Sequence, residues 1–142
     1  MLLVDTGVFV AAADLDDRHH HSCAALIETH PGPLVTTALV IAEAGWLIRR
    51  QLDIATEAAF YEALAAGDIG VIDLTAPDWA RIAGLLDTYT DIGLDAADAS
   101  IIAIAERLNR TTIATLDQRD FRIVRPAHAT AFELIPHPPS QP

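Results

Sequence analysis

Four acidic side chains stand where they could do chemistry together. Asp5 closes the apolar run "LLVD", and Glu43 sits inside "TTALVIAEAGWLI". Asp98 lies in "GLDAADASIIAIAERL", and Asp117 follows "IATL" directly. Singly, each has an ordinary explanation. A strand-terminal Asp often begins a turn, and Asp117 with Asp120 fits one too. Asp95 and Asp98 have the N-cap and N3 spacing of an acidic capping box. Glu43 is harder to dismiss, because Glu is seldom placed for structure among apolar neighbours such as Ala42, Ala44 and Leu47. Brought together, the four would repel one another unless a cation intervenes. The nine basic residues are all Arg, so no lysine is at hand. The natural neutraliser is a hard divalent cation. Mg²⁺ or Mn²⁺ takes carboxylate oxygens and keeps waters for a phosphate substrate. Such a centre hydrolyses phosphodiesters with activated water and needs no protein nucleophile.

The elements that must position these acids are short. "LLVD" reads as a buried strand. Residues 7–13 form a short helical turn, and a helix covers about 19–28, stopped by "HPGP". A second strand spans 34–36, with Thr36 or Thr37 capping a helix through Arg50. Asp53 caps a helix over 54–66, and a third strand spans 69–72. "TAPD" at 75–78 is a capping box with Pro near the helix start, and that helix runs to about Thr88. The next helix, through Leu108, is apolar on every face and so is buried. A fourth strand spans 111–115; "FRIV" and "AFELI" are candidate strands. Short apolar strands between amphipathic helices predict a three-layer α/β/α domain with a mainly parallel sheet of about five strands. Ligand sites in such sheets lie beyond the carboxyl ends of the strands. Asp5 and Asp117 end strands there, and Glu43 and Asp98 open into the same region within a helical turn or two.

Composition narrows the function classes. A chain of 142 residues, 51% hydrophobic, makes one domain with a full core, expected over 1–135 with a flexible tail over 136–142. No apolar run reaches the ~18 residues of a membrane span, and the apolar N-terminus lacks the basic start of a signal peptide. A single cysteine, Cys23, excludes an internal disulfide and a Cys-based zinc site; a reducing cytoplasm is the expected compartment. Without lysine, P-loop NTPase, Schiff-base and lysine-dependent aspartyl phosphorylation chemistries drop out. The net charge of −11 disfavours indiscriminate nucleic-acid binding, although a bound divalent metal reverses the local sign.

Taken as a set, "LLVDTGVFVA", "TTALVIAEAGWLI", "LDAADASIIAIAERL" and "IATLDQRDF" resemble the four acidic motifs of PIN-domain nucleases, and more narrowly VapC-type toxins of toxin–antitoxin systems. The resemblance spans nearly the whole chain and no acid is missing. It implies a parallel α/β/α sandwich and a Mg²⁺- or Mn²⁺-dependent endoribonuclease. It also implies a homodimer, a cognate VapB-type antitoxin, a higher toxin–antitoxin assembly, and a structured RNA target such as tRNA or rRNA. By position it carries catalytic and metal-binding roles onto Asp5, Glu43, Asp98 and Asp117. Supporting roles fall on Thr6, Asp95, Thr115 and Asp120.

Other readings remain at this level. The chain could be a PIN nuclease outside toxin systems, acting in RNA processing or on DNA, or a non-catalytic acidic binding module. A basic antitoxin segment is attracted to these acids, and its Arg could displace metal. His19, His20 and His21 cannot share one helical face and read as a solvated helix start, with one of them a candidate to reach substrate. Arg49 and Arg50 complement a helix dipole. Trp46 and Trp79 read as core or interface anchors.

Overall fold

A computed structural model describes residues 1–138. Among them, β1 (Leu2–Val4), β2 (Leu34–Thr36), β3 (Gly70–Val71), β4 (Thr112–Ala114) and β5 (Glu133–Ile135) form one sheet. The order is β3-β2-β1-β4-β5 and every pairing is parallel. β1 is central, with Leu3 in register with both Val35 and Ile113. Its residues are buried throughout, as a strand covered on both faces must be. Chain order reverses beside β1, which is followed on one side by β2 and joined on the other by β4. That is where open parallel sheets form their crevice.

Seven α-helices connect and cover the described strands: α1 (Thr6–Ala13), α2 (His20–Thr29), α3 (Ala38–Gln51), α4 (Ile54–Ala65), α5 (Ala76–Thr88), α6 (Ala96–Arg107) and α7 (Gln118–Ile123). Their starts follow the capping chemistry in the sequence. Thr37, not Thr36, caps α3 by accepting from the Val40 N–H, and Asp53 accepts from Thr56 N–H at 2.7 Å. Thr75 and Asp78 close both bonds of the expected capping box. α6 is buried from Ala97 to Ala105 and packs on α3 and α5. α3 is drawn close to α4 at Gly45, where a Cβ would collide with the Tyr61 hydroxyl. None of the described helices is long and apolar enough to cross a membrane.

Three expectations are corrected. "FRIV" is not a strand: Phe121, Arg122 and Ile123 belong to helix α7. The open edge of β4 is already taken by β5, so residues 121–124 cannot pair with the strand they follow. Phe121 is buried as a helical residue, edge-on to Phe132, and Arg122 donates to Gln118 four residues back. Second, Trp46 and Trp79 are not core residues; they are 54% and 50% exposed. Arg50 lies over the Trp46 ring at 5.2 Å. Third, Asp95 and Asp98 do not close a capping box, as described below. Of the expected tail, the Pro136 carbonyl accepts from Gln118 Nε2 at 3.0 Å; residues 139–142 lie outside the described residues.

Candidate active site

Asp5 and Asp117 reach the same place because β1 and β4 are neighbours. The Asp5 N–H donates to the Ala114 carbonyl at 2.9 Å, and the Thr115 N–H donates to Ile135 at 2.8 Å, so the ladder pins both strand ends. The Thr115 hydroxyl then joins them. It donates to Asp5 Oδ2 at 2.9 Å and accepts from the Asp117 N–H at 3.2 Å. Thr6 begins α1 directly after Asp5 and is also buried.

Asp98 comes from α6. Asp95 is the N-cap, its Oδ1 accepting from the Asp98 N–H at 2.9 Å. The return bond, from the Asp95 N–H to the Asp98 carboxylate, is not made. The Asp98 carboxylate is therefore not spent on capping, although it is only 6% exposed. Glu43 projects from α3, half-buried. The helices carrying Glu43 and Asp98 are tied by a buried relay. Ser100 Oγ donates to the Ala97 carbonyl at 2.6 Å. Its only proton is then used, so in its 2.7 Å contact with Thr37 the threonine is the donor. Neither Thr37 nor Ser100 stood out in the sequence as bearing on this site.

The electrostatics show a group of carboxylates that repel one another. Asp98 is pushed up to about 9, first by burial, then by Asp5, Asp95, Asp117 and Glu43. Burial also raises Asp5, to about 6, against bonds from the Thr6 backbone and Thr115. Glu43 is raised by burial and by Asp95, with Thr6 opposing. Asp117 is raised by burial, Asp120 and Asp95, with Arg119 opposing. Among the described residues the ion pairs are Arg49–Glu57, Arg81–Glu106 and Arg107–Asp78, so no arginine bridges to any site acid.

Asp98, Asp117 and Asp120 each bring a carboxylate oxygen within 4.8 Å of the others. Asp120, expected only in support, is thus part of the convergent set. The "FRIV" reading concealed this: with α7 a helix capped at Asp117, Asp117 and Asp120 are three residues apart on one helical face. Asp5 lies deeper, and its Oδ1 is buried without a hydrogen-bond partner, as is Thr6 Oγ1. An all-oxygen, strongly anionic donor set with an unpartnered buried carboxylate oxygen fits a hard divalent cation.

A family model described as the PIN domain matches residues 2–125. The chain belongs to the PIN-domain family. Across 135 residues this PIN domain is 28% identical to Ribonuclease VapC26 of Mycobacterium tuberculosis, covering 95% of this chain and 100% of that one. Among solved structures it is similar to Mycobacterium tuberculosis VapC20, described as a Sarcin-Ricin loop cleaving toxin. The TM-score is 0.74 at 18% identity, over 80% of this PIN domain and 87% of VapC20. A toxin-antitoxin complex from Klebsiella pneumoniae gives a TM-score of 0.66 at 18% identity, covering 87% and 92%. These solved structures share the fold of this PIN domain.

Proposed function

We propose that this PIN domain is a Mg²⁺- or Mn²⁺-dependent endoribonuclease and the toxin of a toxin–antitoxin pair. The observation that carries the reading is the cluster itself. Asp5 and Asp98 are both buried and near enough to repel each other, Asp98 converges with Asp117 and Asp120, and no basic side chain among the described residues forms an ion pair with them. A carboxylate group this crowded is stable as anions only around a cation.

Asp98, Asp117 and Asp120 would hold the cation from the α6 and α7 side, and Asp5 from the β1 side. A bound divalent cation lowers the pKa of water and neutralises charge on the attacked phosphate. Glu43, half-buried and raised above its usual range, is suited to orient the attacking water and accept its proton. Thr115 fixes the Asp5 carboxylate, and Asp95 fixes the first turn under Asp98. The names of VapC26, VapC20 and the Klebsiella complex support an RNA substrate, a structured target and an antitoxin partner for this chain. A homodimer is part of the same proposal.

Asp5→Asn and Asp98→Asn should each reduce RNA cleavage at least about 10²-fold, since each removes a charged ligand. The measurement is mapping of RNA 5′ ends after induced expression, with growth followed in parallel. New 5′ ends persisting in both variants would remove these residues from the mechanism.

A further inference from the structure

The acid cluster opens at one end into a groove of about 650 Å³ whose walls have the opposite charge. Three separate segments build it: the turn between α1 and α2, the start of α7, and the chain after β5. Arg18, Arg119 and Arg122 line it, together with His19, His21 and His137. Three of the chain's nine arginines thus meet in one groove of a protein with net charge −11. Among the described residues, the acid in the lining is Asp117, which belongs to the cluster, so groove and cluster are continuous.

Among the described residues no carboxylate forms an ion pair with these arginines. The described ion pairs use Arg49, Arg81 and Arg107. Two of the groove arginines are instead held in position by neutral groups. Arg122 Nη2 donates to Gln118 Oε1 at 2.8 Å, and Gln118 Nε2 reaches across to the Pro136 carbonyl at 3.0 Å. Gln118 therefore orients a guanidinium and ties two walls together. Arg18 Nε donates to His19 Nε2 at 3.1 Å. Fixed guanidinium forks without carboxylate partners match phosphate oxygens, and neighbouring imidazoles offer faces for unstacked bases.

We propose that this groove binds the backbone of single-stranded RNA next to the scissile phosphate, with Arg18, Arg119 and Arg122 contacting successive phosphates. The inference rests on the ribonuclease reading and adds where the strand runs. It also reconciles an acidic protein with a polyanionic substrate: attraction is confined to one track that ends at the cation site. Walls lined by three arginines attract a polyanion, which favours RNA as the occupant.

The test measures binding of a short fluorescein-labelled single-stranded RNA by fluorescence anisotropy in EDTA, which prevents turnover, across a salt series. Each phosphate contact contributes a slope of about −0.7 in log K against log salt for single strands. Replacing Arg18, Arg119 and Arg122 together by Ala should weaken binding at least tenfold and flatten the slope by about 2. The exposed single variant Arg119→Ala should flatten it by about 0.7 without loss of fold by circular dichroism. Arg50→Ala, on the outer face of α3, should change neither. Unchanged slopes in the triple and single variants overturn the inference, and so does loss of antitoxin binding alone. A parallel Mn²⁺-dependent cleavage assay separates the two readings. Cleavage abolished by Asp98→Asn with groove slopes unchanged leaves the ribonuclease standing and removes the groove. Cleavage retained in Asp98→Asn refutes the active site itself.

Discussion

At the scale of residues, Thr115 has two duties that only a hydroxyl performs together. It donates its proton to Asp5 and accepts from the Asp117 N–H, and is itself wholly buried. Thr115→Val keeps the shape and loses both bonds. Asp5, whose other oxygen is already unpartnered, would then have no side-chain donor and would ionise less readily. Metal affinity and cleavage should fall about 10- to 100-fold, the usual effect of losing a group that orients a ligand, and Thr115→Ser should restore most of it. Isothermal titration with Mn²⁺ decides; equal affinity in the Val variant would leave Thr115 a packing residue. Asp95 also has two roles, and they can be separated. Its carboxylate caps α6, yet its charge raises Asp5, Glu43, Asp98 and Asp117. Asp95→Ser keeps a capping oxygen and removes the charge; Asp95→Ala removes both. The Ala variant should be about 1 kcal/mol less stable than the Ser variant by urea unfolding, while both weaken Mn²⁺ binding alike. Equal stabilities would deny the cap.

At the scale of elements, the question is why four distant segments hold their acids in one place. Much of the answer was legible in the sequence. "LLVD", "TTALV" and "TTIATLD" gave their strands and helix starts because short apolar runs bounded by turn and cap signals suit buried parallel strands, and because Thr and Asp caps mark where helices begin. The quartet was legible for the same reason, since each acid sits next to one of these signals. α7 was not. Phe121, Ile123 and Val124 satisfy a strand pattern locally, and only the occupation of β4 by β5 excludes it. With α7 went the convergence of Asp120, expected only in support, on Asp98 and Asp117, and so did the groove, whose walls come from residues more than a hundred positions apart. The Thr37–Ser100 contact was illegible too, because two small hydroxyls 63 residues apart carry no local pattern. Yet it joins α3 to α6. Ser100→Ala would leave the Thr37 proton buried without an acceptor, at a cost of about 1–3 kcal/mol. It should also lower kcat by letting Glu43 move relative to Asp98. A variant that unfolds at wild-type urea concentrations would show that other packing holds the two helices.

At the scale of the whole molecule, the cluster ties stability to pH and to metal. Two acids away from the site are held in the ordinary sense: Thr75 and Arg107 keep Asp78 below its usual range against burial, and Arg81 does the same for Glu106. Their contribution is lost only as pH falls through the acidic range, and above about pH 5 they are ionised in both folded and unfolded chains. The site acids act in the opposite sense. Asp98 keeps its proton up to about 9 in the fold but loses it from 3.8 upward when unfolded. Asp5 follows to about 6. Across that window the folded state binds more protons, so stability must fall as pH rises. In EDTA the melting temperature should therefore drop between about pH 5 and pH 8. A cation held by these acids would reverse this, because its ligands must be deprotonated and binding would strengthen as pH rises. At Mn²⁺ a hundredfold above its Kd the gain should be about 2.7 kcal/mol, largest at the alkaline end. Asp98→Asn should raise the EDTA melting temperature at alkaline pH, flatten its slope and abolish the Mn²⁺ response. Differential scanning calorimetry over pH, with and without Mn²⁺, tests all three. If the metal-free protein instead grew more stable toward alkaline pH, the buried carboxylates would have to be neutralised from within the chain, and the argument for a cation would fail with them.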